Sequence, residues 1–316
     1  MGLALLAERA VVTMQPDQVL STAPGDVPDL FGLMARWYSV RPDHAEISAR
    51  LRRAFTPRQM ERHRSEFTVR FQDRLSNLPP EGDLVKQLLR PFCDEVLLHQ
   101  LGVPVRLWDD ALRAAVLLEM ALDGVPIKAK VATWTVHMMA DVAAETMTAG
   151  MSPFAKSLQE ICAHPSQRWD AAAILSQVLV AGRTPTVSLA AAACEVAAHR
   201  AGDDDALSAV ARAEFETPPF RYLRRTATRE GAVAGCPAGA AVSIDIRALH
   251  EAEPAGRSHA FGIGTHRCLG SALARMTAAI AAAAVSGTAG LSVGSATRRR
   301  TDDMHLTDCL PYRRVP

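Results

Sequence analysis

The sequence lacks the features that mark several protein classes. Its 35 Lys and Arg nearly balance its 34 Asp and Glu, giving a net charge of +1, so nothing predicts electrostatic binding to nucleic acid or an anionic membrane. No apolar run is long enough to cross a bilayer, and the first residues lack the basic segment of a signal peptide. None of the six cysteines has a CxxC partner, which disfavours zinc knuckles and disulfide scaffolds. We predict a cytoplasmic protein with reduced thiols.

The composition predicts a folded chain. Its 316 residues are 48% hydrophobic and 22% charged, enough to bury a large core. Apolar spacing and capping residues predict mostly helix, with extended segments near 220–228 and 240–246. No repeat or linker is visible, so we expect one domain over residues 1–316, mainly α with a small β part. Helices are predicted at 84–101 with a kink or split at Pro91, at 111–122, at 128–147, from 171 towards 200 after an Asp170 cap, and at 268–285.

One short motif carries the chemistry. Residues 261–270 read FGIGTHRCLG and join a glycine-rich loop to a predicted helix. Such a turn leaves backbone N–H groups open to a ligand, because glycine has no side chain and the first helical N–H groups lack partners. The motif resembles the haem-binding signature of the cytochrome P450 family. Its six defining residues would match by chance on the order of once in a million chains of this length.

The resemblance implies a role for each residue of this motif. Cys268 would bind the iron of haem b as a thiolate, whose electron donation favours O–O cleavage. His266 would reach a haem propionate, and Phe261 would shield the sulfur from water. Gly262 and Gly270 would keep the backbone around the sulfur open.

Other segments follow the family's order from about residue 40 to the end. His44 and Arg225 match positions that would contact haem propionates, and Ala181-Gly182 resembles the centre of the helix above the distal haem face. The implied fold is a cytochrome P450-like single domain, truncated at the N-terminus. Residues 1–40 would form an atypical N-terminal segment, and 261–285 the cysteine-ligand loop and helix.

The chain departs from the family pattern at a Glu-x-x-Arg pair that normally helps to hold the haem-side core. Counting back from Pro218, the two positions fall on Ala211 and Glu214. The sequence leaves open how this loss is compensated, with Arg247 and Arg257 as candidates.

The distal helix departs as well. The family's acid–alcohol pair is replaced by Thr184 and Pro185, with Thr186 next. Threonine cannot act as a carboxylic acid, and proline cannot relay a proton. We assign the distal catalytic positions to Ala181, Gly182, Thr184 and Thr186. Expected substrate contacts are Phe220, Leu223 and Val180.

Three functions remain open on these grounds. The first is a haem-thiolate, monooxygenase-like oxidoreductase that modifies a small organic substrate in specialised, natural-product biosynthesis with a non-standard proton relay. A ferredoxin-type electron donor would dock near Arg267 and Arg275, and a second copy of the chain could close an open pocket as a homodimer. The second is a reductase-independent haem enzyme that uses peroxide or catalyses an isomerisation, dehydration or cyclisation. The third is a non-catalytic homologue that recruits a partner such as a carrier protein.

Overall fold

The computed structural model describes residues 11–12, 28–30, 32–33, 44–199, 205–227, 236–252, 258–264, 267–301 and 303–314. Helices dominate these residues, as the sequence predicts. The helices are α1 (His44–Arg52), α2 (Pro57–Ser76), α3 (Arg90–Leu101), α4 (Trp108–Leu122), α5 (Ala129–Ala149), α6 (Pro153–Ile161), α7 (Arg168–His199), α8 (Ala206–Glu216), α9 (Ile246–Glu251) and α10 (Ser271–Ser286).

The strands form small antiparallel sheets, which confirms the minor β part. The strands are β1 (Val11–Val12), β2 (Glu81–Asp83), β3 (Tyr222–Ala227), β4 (Ala241–Asp245), β5 (Leu291–Val293), β6 (Thr297–Arg300), β7 (His305–Cys309) and β8 (Pro311–Arg314). Their orders are β1-β3-β4, β2-β8-β5 and β6-β7. The two predicted extended segments pair as β3 and β4, with Leu223 opposite Ile244 and Arg225 opposite Val242.

Local sequence explains where two of these helices begin. The Thr56 hydroxyl accepts a hydrogen bond from the Gln59 N–H at 3.3 Å, and Pro57 occupies the first helical position of α2. A π-helical turn at Val85–Leu89 precedes α3, in which Pro91 lies in the first turn. The predicted 84–101 helix is therefore continuous, and it changes from π-helical to α-helical geometry just before Pro91, whose ring has no N–H to donate.

Helix α7 corrects one expectation. It begins at Arg168, so Asp170 lies in its first turn and does not cap it. As predicted, it continues towards residue 200, and its 32 residues include Gly182 and Pro185, which a helix interior tolerates poorly. Packing explains the continuity: α7 lies against α3, α5, α8 and α10, and burial of its apolar surface outweighs the roughly 3 kcal/mol penalty of an internal proline.

The main core is built around α7. One hydrophobic cluster extends along the chain from Leu30 to Tyr312, and a smaller one lies under β3 and β4 at Ile244, Ile246 and Leu249. Among the residues described, no helix combines the length and the apolar character that a membrane crossing requires.

Candidate active site

The cysteine motif folds into a tight loop in front of α10. The Cys268 N–H donates to the Phe261 carbonyl at 2.8 Å, which closes the loop. Gly262 and Gly264 have φ values of 64° and 73°, in the left-handed region that glycine enters without steric cost. These two glycines therefore shape the turn that brings Cys268 to the start of the helix.

Cys268 has the surroundings of a thiolate ligand. Cys268 is exposed to solvent at the start of α10. Burial raises the pKa of the Cys268 thiol, while backbone N–H groups of Gly270 and Ser271 and the Arg275 guanidinium act in the opposite direction. The N–H donors and the positive charge stabilise a thiolate, the form that binds metal.

A partly buried ion pair lies at one of the two positions of the missing Glu-x-x-Arg pair. Glu214 on α8 binds Arg275 on α10 through two hydrogen bonds of 2.7 Å each. The Glu214 side chain is only 3% exposed, and the Arg275 guanidinium lies 4.8 Å from the Phe261 ring centroid. A carboxylate thus occupies the position where the family has arginine, and its cation comes from the cysteine helix. This pair links α8, α10 and the cysteine loop.

Of the two arginines that the sequence offered as compensation, only Arg247 lies within the described residues, and it has another partner. Arg247 pairs with Glu251 at 3.1 Å within its own exposed helix, α9. Arg257 lies outside the described residues. The cation that pairs with Glu214 is Arg275. The sequence analysis expected Arg275 near the docking surface of an electron donor, but its guanidinium forms a bidentate pair with Glu214.

Arg225 is a buried cation with no carboxylate partner among the described residues. It is 5% exposed, and its Nη1 donates to the Arg224 carbonyl at 2.8 Å. Burial lowers the pKa of Arg225. Because a buried charge is costly without a counter-charge, this guanidinium suits a ligand carboxylate such as a haem propionate.

The other predicted proximal residues are only partly described. The backbone of His44 begins α1, but its side chain lies outside the description, as does the whole of His266. Phe220 is half-buried beside Met304. Leu223 packs against the small core under β4, so its contacts are with the protein interior.

An accessible stripe crosses the otherwise buried middle of α7. Ala181 is exposed and Thr184 and Pro185 are half-buried, whereas Val180 and Thr186 are 8% and 9% exposed. Successive helical residues are about 100° apart, so Thr184 shares the side of Ala181 and Thr186 lies on the opposite side. The stripe coincides with the expected distal face, and Thr184 is the predicted threonine that lies on it.

Gly182 serves helix packing. A Cβ at this position would lie 3.0 Å from the Leu97 side chain of α3, closer than ordinary van der Waals contact. The glycine lets α7 approach α3 closely at the level of the distal face.

Next to Gly182, Arg183 holds carboxylates from two neighbouring helices. It is 3% exposed, and its Nε lies 2.9 Å from Asp94 of α3 while its Nη1 lies 3.1 Å from Glu119 of α4. The Thr184 hydroxyl donates to the other Glu119 oxygen at 3.2 Å. Burial raises the pKa of the Glu119 carboxyl, and Arg183 and Thr184 oppose this effect. An acid and an alcohol therefore meet at the distal helix, although they come from different helices.

Sequence reasoning missed Arg183, Asp94 and Glu119. One signal was available: Arg183 is the only charged residue between Ala171 and Cys194. A lone charge in a long apolar helix requires a partner. Its identity depends on which helices pack there.

The residues present fit a haem. The accessible Cys268 with its N–H donors suits an iron ligand. The buried Arg225, which has no carboxylate partner among the described residues, suits a propionate, and the stripe at Ala181 provides small side chains for the distal face.

Comparisons with known proteins point to the same family. No protein-family model matches the chain. Cytochrome P450 130 of Mycobacterium tuberculosis, found in two strains, is 28% identical over 277 residues, covering 76% of this chain and 67% of that protein. The fold is similar to that of P450BioI, which was solved in complex with hexadec-9Z-enoic acid ligated acyl carrier protein. The TM-score is 0.80, the sequence identity is 19%, and the match covers 99% of this chain and 89% of that one. It is also similar to CalO2, with a TM-score of 0.80, 18% identity and coverage of 100% and 89%.

The sequence relative, the fold and the cysteine loop agree. The Glu214–Arg275 ion pair and the presence of Pro185 in α7 are the two features that depart from the family pattern. The chain resembles cytochrome P450s in sequence and in fold, and it is a P450-like type of enzyme.

Proposed function

We propose that this chain binds haem b through Cys268 and acts as a monooxygenase-like oxidoreductase on a small organic substrate of specialised biosynthesis. The accessible Cys268 beside the N–H groups of Gly270 and Ser271 carries this proposal. When bound, haem supplies the redox-active iron that activates oxygen. Cytoplasmic location stays a prediction from the sequence.

The direct test is absorption spectroscopy followed by turnover. The purified protein, reduced under carbon monoxide, should show the band typical of thiolate-ligated haem. It should then oxidise a small organic substrate with a ferredoxin-type donor and oxygen. A spectrum typical of histidine ligation, or purification without any haem after growth with a haem precursor, would contradict the proposal.

The buried Arg225 supports propionate binding, with His44 and His266 as the further propionate contacts that the resemblance implies. We predict that Arg225→Ala reduces haem content by about tenfold, since one charge-assisted contact to a carboxylate contributes roughly 1.5–3 kcal/mol. Haem content per protein, from absorbance, measures the effect.

The neighbouring arginine provides the matched control. Arg224 lies on the same strand, but its side chain is 58% exposed and pairs with Asp303 at 2.8 Å. Arg224→Ala should leave haem content unchanged. Equal losses in both variants would assign the effect to strand β3 and not to a propionate contact.

For the distal side, we propose that Glu119 and Thr184 form the non-standard proton relay. A protonated Glu119 would donate to the Thr184 hydroxyl, which would pass its own proton towards the pocket. Solvent then reprotonates Glu119, whose side chain is 23% exposed. One proton enters and one leaves, so both groups return to their starting state. The raised pKa of Glu119 keeps the acid form available at higher pH than for an ordinary carboxyl.

Glu119→Gln should uncouple electron consumption from product formation. The amount of product per electron pair should fall by about tenfold to hundredfold, at or below the low end of the rate contribution of a general acid. Peroxide release should rise. The wild-type coupling should fall as pH rises through the raised Glu119 pKa, because the acid form disappears. The glutamine variant should lose this pH dependence. Product, consumed reductant and peroxide measured across pH test both effects.

Asp94→Asn is the control for this experiment, because Asp94 binds the same Arg183 but receives no bond from Thr184. It should perturb stability while keeping the pH dependence of coupling. If both variants uncouple alike, the network holds α7 in place and does not move protons.

A specific observation favours the second candidate, a reductase-independent haem enzyme. Pro185 lies on the accessible stripe, at the position where the family has an alcohol side chain. Proline has neither a hydroxyl nor a backbone N–H, so it cannot donate a proton. Turnover with peroxide alone at the rate of the complete electron-transfer system would support this candidate. Strict dependence on reductant and oxygen would exclude it.

The proposed protein partner is a ferredoxin-type electron donor. Arg267 stays exposed beside Cys268 and could face an acidic partner, whereas Arg275 is engaged by Glu214. The acyl carrier protein in the P450BioI complex belongs to that structure. For this chain, carrier-bound substrate is a hypothesis that a comparison of free and carrier-bound substrates would test.

A further inference from the structure

Two histidines and a carboxylate converge between α2 and α3, away from the cysteine loop. His63 and Glu66 lie one turn apart on α2, and His99 lies on α3. One ligand-capable atom from each residue lies within 4.8 Å of those of the other two. The His63 and His99 ring centroids are 5.1 Å apart. Residues from two helices thus present three metal-type donors to one point.

The carboxylate of this cluster is already oriented. One oxygen of Glu66 binds the Arg70 guanidinium at 2.5 Å, and the other lies 3.9 Å from Nδ1 of His63. Arg70 is itself held by Glu95 of α3. Because Arg70 takes only one oxygen, the second remains turned towards the histidines. Such an outer partner orients a ligand in many metal sites.

His99 supplies a second, independent observation. Its Nδ1 is buried and has no hydrogen-bond partner among the described residues. Buried polar atoms in folded proteins nearly always have a partner. His99 therefore has a buried ring nitrogen that lacks a hydrogen-bond partner among the described residues.

We propose that His63, Glu66 and His99 form a binding site for a divalent transition-metal ion, with zinc as the best fit. Two imidazoles and one carboxylate, with water in the fourth position, form a common zinc ligand set. Ligand distances of about 2.0–2.2 Å require the donor atoms to approach to roughly 3.4 Å in a tetrahedral site. The half-buried His63 and exposed Glu66 have room to make this adjustment. The ion would tie α2 to α3, and this proposal is independent of haem binding.

The test is a Zn²⁺ titration of chelator-treated protein by calorimetry, together with thermal unfolding with and without Zn²⁺. Two samples prevent Zn²⁺ from binding at Cys268. In the haem-loaded protein the Cys268 thiol is occupied by haem, and in the Cys268→Ala variant the thiol is absent. We expect one Zn²⁺ per chain, binding in the micromolar range and raising the unfolding temperature. X-ray absorption should show nitrogen and oxygen ligands and no sulfur.

His63→Asn and His99→Asn should each weaken binding at least tenfold. Glu66→Gln should also weaken it and should leave the metal-free unfolding temperature close to wild type, so it decides the case if a histidine variant folds poorly. His164→Asn, at an exposed histidine outside the cluster, should bind Zn²⁺ like wild type. Binding unaffected by all three cluster variants, sulfur ligation, or no stoichiometric binding would overturn the proposal.

Discussion

Replacing Cys268 with alanine should abolish the absorption band of the reduced, carbon-monoxide-bound protein and all haem-dependent turnover. Alanine cannot coordinate iron, and the loop that presents residue 268 offers no other thiolate. Histidine or water ligation would shift the spectrum and remove the electron donation that favours O–O cleavage. Absorption spectra of matched samples, with haem content determined separately, measure the effect. This is the largest change expected from a single substitution.

A second cysteine gives the control. Cys309 on β7 is only partly buried and lies outside the loop, so Cys309→Ser should keep the thiolate spectrum. A thiolate spectrum that survives in Cys268→Ala would assign ligation to another cysteine and would remove the basis of the proposed function. Haem lost equally from both variants would point to a general folding defect.

Removing Arg275 is the second large effect that we expect. Arg275→Ala should lower the free energy of unfolding by about 2 kcal/mol, less than the roughly 3–5 kcal/mol of fully buried pairs, because 41% of the Arg275 side chain is exposed. The cost arises because Glu214, at 3% exposure, keeps a buried charge without its cation. Haem retention should fall as well, since the pair holds the cysteine helix and Phe261. Denaturant unfolding and haem content measure these two effects.

Two further variants separate the buried pair from general charge effects. Glu216→Ala removes a carboxylate from the same helix, where it faces Arg212 at 3.6 Å on the surface. This change should alter stability by less than about 1 kcal/mol. The double variant Glu214→Gln with Arg275→Gln leaves no buried charge, so it should be more stable than Arg275→Ala. If Arg275→Ala is as mild as Glu216→Ala, the pair does not compensate for the missing family pair.

The sequence predicted features whose physical causes lie close together along the chain. The cysteine loop depends on glycines and a helix start within residues 261–270. Strands β3 and β4 follow from apolar alternation between turn residues. An irregularity at Pro91 was predicted as well, because the lack of an N–H in proline is a local property. At Pro185, by contrast, burial on several sides of α7 stabilises a regular helix, and burial depends on the whole fold.

The sequence by itself determined the mainly helical fold and the resemblance to cytochrome P450s, because periodicity and a compact motif specify these locally. Only the tertiary structure decided which charges meet. Glu214 and Arg275 are 61 residues apart, and Arg183 and Asp94 are 89 apart. Each carboxylate had many arginines available along the chain, and the packing of α3, α4 and α8 against α7 and α10 selected one. Which charged residues form an ion pair depends on how close they lie in space. The order of residues along the chain does not give this distance directly.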